Sequence, residues 1–497
     1  MPAQLQKLSF LEKAGYSLGD AAANFVFMTM ILFQLTFYTD TMGLTAAAAG
    51  TLLLVGRLWD AFFDPFMGVL ADRTNTRWGK FRPWVLWTAV PWGIVMVLAF
   101  TVPHFNPTGL LIYAILTNVV LMTMYSANNT PYSALTGVMT ADVNERTSIS
   151  AYRFFAAMFA QLIVGGFTLP LVAKLGQGDS ARGWQMTMGL WAALSVVFFV
   201  VTFLSVRERV QPAPTQKSAP KDDLRNLLKN GPWIAMFVVT LAHFTYLAMR
   251  NSTIVYYFNY YVDQTALLAF LDKFGLGTAP ANGHGLLYYL MSTFGLYVNE
   301  ARTNVASVGF SFFQMSAQAV TIVGVVASTF LAMRFGKKAV ALVCFTLAAI
   351  LAAAFILLPA DAIGTTFVLE WVRALAYAPT IPLIWAMFAD VADYGEWTTG
   401  VRTTGVVFAT IMFALKAGLS LGGAIDGWLL SGYGYVANAA QTPHALLGIR
   451  LTMSVYPALF LIAVVVALLF YKITKTMNIQ IQDELADRRL RFQPAGS

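Results

Sequence analysis

Three ionisable residues stand at helical spacing inside an otherwise apolar stretch. Arg57, Asp60 and Asp64, at i, i+3 and i+7, share one face of any helix that contains them. Such a side chain within a membrane helix costs about 2.5–3.5 kcal/mol on insertion scales, so each needs a partner or an aqueous cavity. Two carboxylates one turn apart repel when both are ionised, unless one is protonated or a cation lies between them. Hard cations such as Na⁺ prefer clustered oxygens, and a proton competes for the same carboxylates. Asp60 and Asp64 are therefore candidate cation ligands. The alternative is that they only neutralise Arg57 and other bases in a packing network. Pro65, directly after Asp64, loosens the helix under either reading.

Lys416, in Phe413-Ala-Leu-Lys-Ala-Gly, has no acid one turn away, so its counter-charge must come from another helix, and Asp60 and Asp64 are the economical source. Asp20 and Asn24 share a face of an earlier stretch, and Tyr125, Ser126, Asn128 and Asn129 crowd a fourth. Side chains of these types bond sugar hydroxyls well, and they also serve as interhelix glue. Trp385 offers a stacking face for a sugar ring or a place in a lipid-facing aromatic belt. Glu370 and Arg373, at i, i+3, form a local pair, and His243 and Arg250 share another span. No second histidine or cysteine stands at ligand spacing to His243, which argues against a metal site. Cys344 is the one cysteine and lies in an apolar run, so there is no disulfide framework.

The elements that must position these residues are membrane helices. Of 497 residues 58% are hydrophobic and 11% charged, against about 25% charged in soluble domains. Apolar stretches long enough to cross a bilayer recur near 15–40, 45–71, 83–103, 109–137, 149–173, 183–205, 233–262, 303–333, 339–359, 364–391, 403–431 and 447–471. The net charge of +8 is sorted by side rather than spread as a nucleic-acid surface would need. Even-numbered connections and both tails carry most Lys and Arg, which by the positive-inside rule places both termini in the cytoplasm. No cleavable signal peptide is expected, because the short polar start Met1 to Lys13 leads into a full-length span.

A polar, Pro-bearing segment at 207–231 bisects the chain into halves at 1–206 and 232–475, followed by a tail at 476–497. Faint repeats link the halves: Trp78-Gly-Lys after span 2 is echoed by Phe335-Gly-Lys after span 8, and Ala141-Asp-Val by Ala389-Asp-Val. An insertion at 263–302 holds apolar runs too short to cross and reads as one or two amphipathic helices on the external face. The fold class is an all-α membrane protein of twelve transmembrane helices in two pseudo-repeated halves, the major facilitator fold.

The run from Arg57 through Asp72 and Arg73 to Trp84 resembles the signature of the glycoside-pentoside-hexuronide:cation symporter family. A second match is Asp390-Val-Ala-Asp393-Tyr-Gly-Glu-Trp with Arg402 following. The resemblance extends from about residue 12 to about residue 475 and implies that Asp60 and Asp64 bind the coupling cation with Ser126 nearby. It further implies that Lys416 links cation and sugar sites and that Arg153 binds sugar. Melibiose carriers have carboxylates where this chain has Asn24 and Asn129, and an aromatic where it has Ser133. The motif details resemble the xyloside-transporter branch instead.

The expectation is a monomeric inner-membrane symporter of a glycoside or oligosaccharide, coupled to H⁺ or Na⁺, with no cofactor, metal or nucleic-acid partner. Sugar contacts are expected from Asp20, Asn24, Tyr125, Asn129, Arg153, Trp385 and Lys416. Arg57, Asp72, Arg73, Asp390, Asp393 and Arg402 are expected as structural or gating charges. The competing readings are a facilitator of lipid or another amphipathic solute, and a membrane-embedded enzyme; against the latter stands the lack of a nucleophile-base pair or metal spacing in the spans.

Overall fold

The computed structural model describes residues 7–140, 142–210, 227, 230–280, 283–400 and 404–491. Most of the linker at 207–231 and Arg402 lie outside them. Among the described residues, twelve helices are long and apolar enough to cross a membrane: Phe10–Thr41, Ala46–Arg73, Arg82–Ala99, Pro107–Met139, Glu145–Gly176, Ser180–Ser205, Gly231–Tyr261, Val305–Phe335, Lys337–Leu357, Ile363–Thr399, Gly405–Gly432 and Pro443–Phe470. They are numbered here as spans 1 to 12. Several begin where a side chain satisfies the first free amides and a proline, which needs no donor there, enters the first turn. Asn106 accepts from the Gly109 amide at 2.7 Å before Pro107, and Thr442 from Ala445 at 3.1 Å before Pro443.

Internal prolines act in two ways. Pro65, Pro131 and Pro170 sit within continuous helices. Span 10, expected as one helix, is instead broken after Tyr377, where Pro379 and Pro382 remove donors from the i→i−4 ladder, and restarts at Thr380. Span 12 breaks at Ser454, three residues before Pro457. Pro457 cannot donate to the Met453 carbonyl, and Arg250 Nη1 from span 7 takes that place at 3.1 Å.

Spans 1 and 7, at matching places in the two halves, are among the most buried and end alike, in π-helical turns at Phe37–Thr41 and Tyr257–Tyr261. Span 11 packs along spans 2 and 7, span 5 against span 8, and span 1 against spans 5 and 6. The insertion forms two short helices, Gln264–Lys273 and Leu286–Thr293, at the end of the bundle away from the termini. They reach across to the first half: Lys174 Nζ donates to the Ser292 and Thr293 carbonyls at 2.7 and 3.0 Å, and Phe294 stacks on Phe167 at 4.4 Å.

Polar contacts across the halves gather at this insertion end. The Asp40 carboxylate accepts from Tyr260 at 2.7 Å and from Tyr435, the Asp40 carbonyl accepts from Asn438 at 2.6 Å, and Thr39 meets Tyr256 at 2.7 Å. Spans 2 and 11 cross beside them at Gly50 and Gly427, where a methyl on Gly427 would lie 2.4 Å from the Ala46 carbonyl oxygen. At the terminus end, Lys13–Glu145 at 2.9 Å and Lys337–Asp390 at 2.7 Å each lie within one half. The bundle is closed at the insertion end.

Candidate functional site

Helical spacing puts Asp60 and Asp64 on one face of span 2, and that face meets Ser126 of span 4 and Lys416 of span 11. Ser126 Oγ lies 2.5 Å from Asp60 Oδ1 and 2.6 Å from Asp64 Oδ1, and Thr130 donates to the latter at 3.3 Å. Lys416 Nζ hydrogen-bonds Asp64 Oδ2. It also lies 2.7 Å from Asp60 Oδ2, an ion pair without hydrogen-bond direction, since that oxygen has no hydrogen-bond partner. Asp60 is fully buried, and Asp64 keeps 32% of its side chain accessible.

A serine has one proton, yet Ser126 Oγ is within hydrogen-bond distance of two carboxylate oxygens. It can donate to only one. The other short oxygen contact is favourable when that carboxyl holds a proton or when a cation sits among the oxygens. Arg57 is close enough to Asp60 to interact with it through space, while its guanidinium lies over the Phe27 ring, 5.4 Å from the centroid. The direct ion pairs of the two acids are with a lysine of the other half.

A second polar group lies toward the terminus end of the first half. Arg153 Nε pairs with Asp20 Oδ2 at 2.9 Å, while its guanidinium lies beside the Tyr16 and Tyr132 rings at 5.6 and 5.2 Å. Asn24 donates back to the Asp20 carbonyl at 2.8 Å and accepts from Gln161 at 3.3 Å. Tyr125 stacks between Phe27 and Trp92. Asn129, the neighbour of Asn128, is half-buried, whereas Asn128 is consumed by Thr88 at 2.8 Å.

Between the halves lies a cavity of about 340 Å³, walled by spans 1, 5, 7, 8, 10 and 11. Among the residues picked from sequence for sugar contact, Trp385 stands on this wall. Asn24 reaches it through Gln161, and Lys416 adjoins it through its neighbour Leu415. The second-half wall holds Arg250, Glu370 and Arg373. Arg373 donates to Glu370 through Nε at 2.9 Å and Nη2 at 2.5 Å, as the i, i+3 spacing indicated, and Arg250 of span 7 joins the same carboxylate. His243 meets the Tyr377 hydroxyl at 3.1 Å.

The signature charges lie apart from the cavity. Asp72 and Arg73 are exposed at the end of span 2. Asp390 is buried, held by Lys337 and by Asn478 at 3.2 Å. Asp393, half-buried, lies one turn further along the same helix. Sequence reasoning passed over Asn251, Gln314 and Gln318 on the cavity wall, Asp40 at the closed end, and Asp426, which is fully buried and bonded to Ser252. The available signal was the same one that singled out Asp60: a polar side chain inside an apolar span.

Twelve helices in two halves around a central cavity, with a charge cluster shared between halves, define a carrier of the major facilitator type. The chain belongs to the MFS/sugar transport protein family, whose model matches residues 15–282 and 283–475. It is 33% identical to the inner membrane symporter YicJ of Escherichia coli over 98% of this chain and 97% of that one. It is 33% identical to the isoprimeverose transporter of Lactiplantibacillus pentosus, covering 93% and 89% of the two chains. It is 30% identical to a glucuronide carrier protein homolog of E. coli, covering 97% of each. The fold is similar to the crystal structure of a D-xylose-proton symporter, with a TM-score of 0.58, 14% identity, and 93% and 97% of the chains covered. The protein is a sugar transporter of the membrane, not an enzyme.

Proposed function

We propose that this protein carries a glycoside or short oligosaccharide inward by symport with H⁺ or Na⁺, alternating access between two sides of the membrane. The observation that carries this reading is the convergence of Asp60, Asp64 and Ser126 from one half on Lys416 of the other. The lysine ammonium occupies the position a coupling cation would take. When a cation or proton neutralises the carboxylates, Lys416 loses its hold on the first half and is free to turn toward the adjoining cavity. Cation arrival and sugar binding are then linked through one side chain, as a coupling free energy requires.

The sugar lies in the cavity between the halves, with Asp20, Asn24 and Arg153 at its approach and Trp385 as a stacking face. Positive charge on the terminus side supports cytoplasmic termini, and with that orientation the conformation described is closed to the outside. Asp72, Arg73, Asp390, Asp393 and Arg402 act at the cytoplasmic gate. Similarity to an isoprimeverose transporter supports a xylose-containing glycoside as cargo. Uptake of glycosides into proteoliposomes under an imposed H⁺ or Na⁺ gradient tests the reading. Accumulation above the outside concentration is expected with one gradient and not without it; equilibration that ignores both gradients would sink it.

A further inference from the structure

We propose that the second-half wall of the cavity is a separate subsite for the second ring of a neutral, two-unit glycoside, read by Asn251, Gln314 and Gln318. The inference rests on the glycoside reading above and narrows its substrate class.

The three carboxamides line the cavity, half-buried, and none has a hydrogen-bond partner among the described residues. Amides that serve packing in this protein are bonded: Asn128 to Thr88 at 2.8 Å, Gln34 to Tyr38 at 3.0 Å, Asn304 to the Tyr297 carbonyl at 3.0 Å. A carboxamide left unpaired at membrane depth is unfavourable unless water or a ligand meets it. Each offers two donors and an acceptor with two lone pairs, the complement of sugar hydroxyls.

The placement fits a second ring. Gln314 and Gln318 are one turn apart on the same face of span 8. They face span 5, where a methyl on Gly165 would lie in ordinary contact with Gln314 Cβ at 3.5 Å. Span 5 presents Gln161, bonded to Asn24 at 3.3 Å. Arg153 precedes Gln161 by eight residues on that helix, about 12 Å of rise. A polar track therefore runs from Asp20 and Arg153, past Asn24 and Gln161, to the amides of span 8, and it is longer than one pyranose ring. Trp385, 40% exposed, offers a ring face beside the track.

The neutral class follows from the charges nearby. All three nitrogens of the Arg373 guanidinium already donate, to Glu370 and to Tyr246, and Arg250 is bound to Glu370 and the Met453 carbonyl. Both guanidiniums are thus held by protein acceptors, and the side chains of this wall that have no protein partner among the described residues include the three uncharged carboxamides.

Binding to the purified protein would be measured by calorimetry with methyl xyloside, methyl glucoside and methyl galactoside, each against its neutral disaccharides, and with a disaccharide uronide. A disaccharide is expected to bind at least about tenfold more tightly than the methyl glycoside of its first ring. The Q314A/Q318A variant is expected to lose that advantage while holding the methyl glycoside within about twofold. Equal affinity for one and two rings in the unaltered protein overturns the subsite, whether or not the variant folds. A variant loss shared equally by both sugars overturns it too, and tighter binding of the uronide overturns the neutral class. If no sugar binds at all, the glycoside reading falls and the subsite with it.

Discussion

The carboxylate of Asp40, at the end of span 1, accepts a hydrogen bond of 2.7 Å from the phenol of Tyr260, at the equivalent end of span 7. Each residue lies in a π-helical turn that widens the last coil of a central helix. Tyr435 joins the same carboxylate from beyond span 11. Hydrogen bonds to a charged group contribute about 1.5–3 kcal/mol each. Replacing Asp40 by Ala removes both of these contacts between the halves, together with a local one from Thr39 at 2.7 Å, so the balance between closed and open insertion end is expected to move at least about tenfold toward open. Electron-resonance distances between labels at Phe105 and Val436 measure this directly; an unchanged distance distribution in Asp40→Ala would remove Asp40 from the gate.

The pH behaviour of that contact has a definite sign. Burial, with the Asp40 charge added, pushes the Tyr435 phenol above its ordinary range. The neutral, donating form is thus the one the folded protein favours. Its contribution is present below the ordinary phenol pKa of about 10 and is lost only as pH rises through the elevated value. The label distances in the unaltered protein are expected to stay constant between about pH 6 and 9, well below that loss. Opening within this interval would show that Tyr435 is not the donor that matters.

Asp64 is the accessible member of the carboxylate pair, and Asp60 the buried one. Asp64→Asn keeps a similar shape and removes one charge, leaving Asp60 and Lys416 balanced. Uphill sugar accumulation is expected to disappear, while exchange of sugar across the membrane without a gradient continues. The check is uptake and counterflow in the same vesicles. Undiminished accumulation would take Asp64 out of coupling.

Much of this architecture was legible because membrane helices announce themselves: twelve apolar stretches, charge sorted by side, and acids where lipid would not tolerate them. Spacing placed Asp60 and Asp64 together, and the lone Lys416 implied a partner on another helix. What sequence could not carry was the third dimension. Gln314 and Gln318 look like the Asn and Ser residues that glue helices, and only the packing of span 8 on span 5 leaves them facing a cavity. Arg57 shares a helical face with Asp60, yet tertiary packing turns it onto Phe27. The break in span 10 depends on two prolines that, singly, other spans absorb.

The crossing of spans 2 and 11 gives a steric test of the closed state. A side chain at Gly427 meets the Ala46 carbonyl oxygen at 2.4 Å, and backbone of a packed helix has little room to yield. Gly427→Val is expected to force the halves apart at the insertion end, at a cost of about 1–3 kcal/mol as overpacked sites show. Transport should fall at least about tenfold while the label distances lengthen. A variant that transports normally with unchanged distances would mean that spans 2 and 11 need not approach this closely during the cycle.

Glu370 stands between two arginines, Arg250 and Arg373, all three buried among spans 7 and 10. Its removal has a different consequence from the removal of the whole group. Glu370→Gln leaves two buried guanidiniums without a counter-charge, and breaking a buried pair in this way destabilises by about 3–5 kcal/mol. Adding Arg250→Met removes one of those charges but also strips the Met453 carbonyl, which Pro457 leaves without a helical donor, of its partner. The double variant is therefore expected to recover part of the loss and not all of it, with a thermal midpoint between Glu370→Gln and the unaltered protein. A double variant no more stable than Glu370→Gln would show that charge balance is not what Glu370 supplies. Full recovery would show that the Met453 carbonyl does not need Arg250.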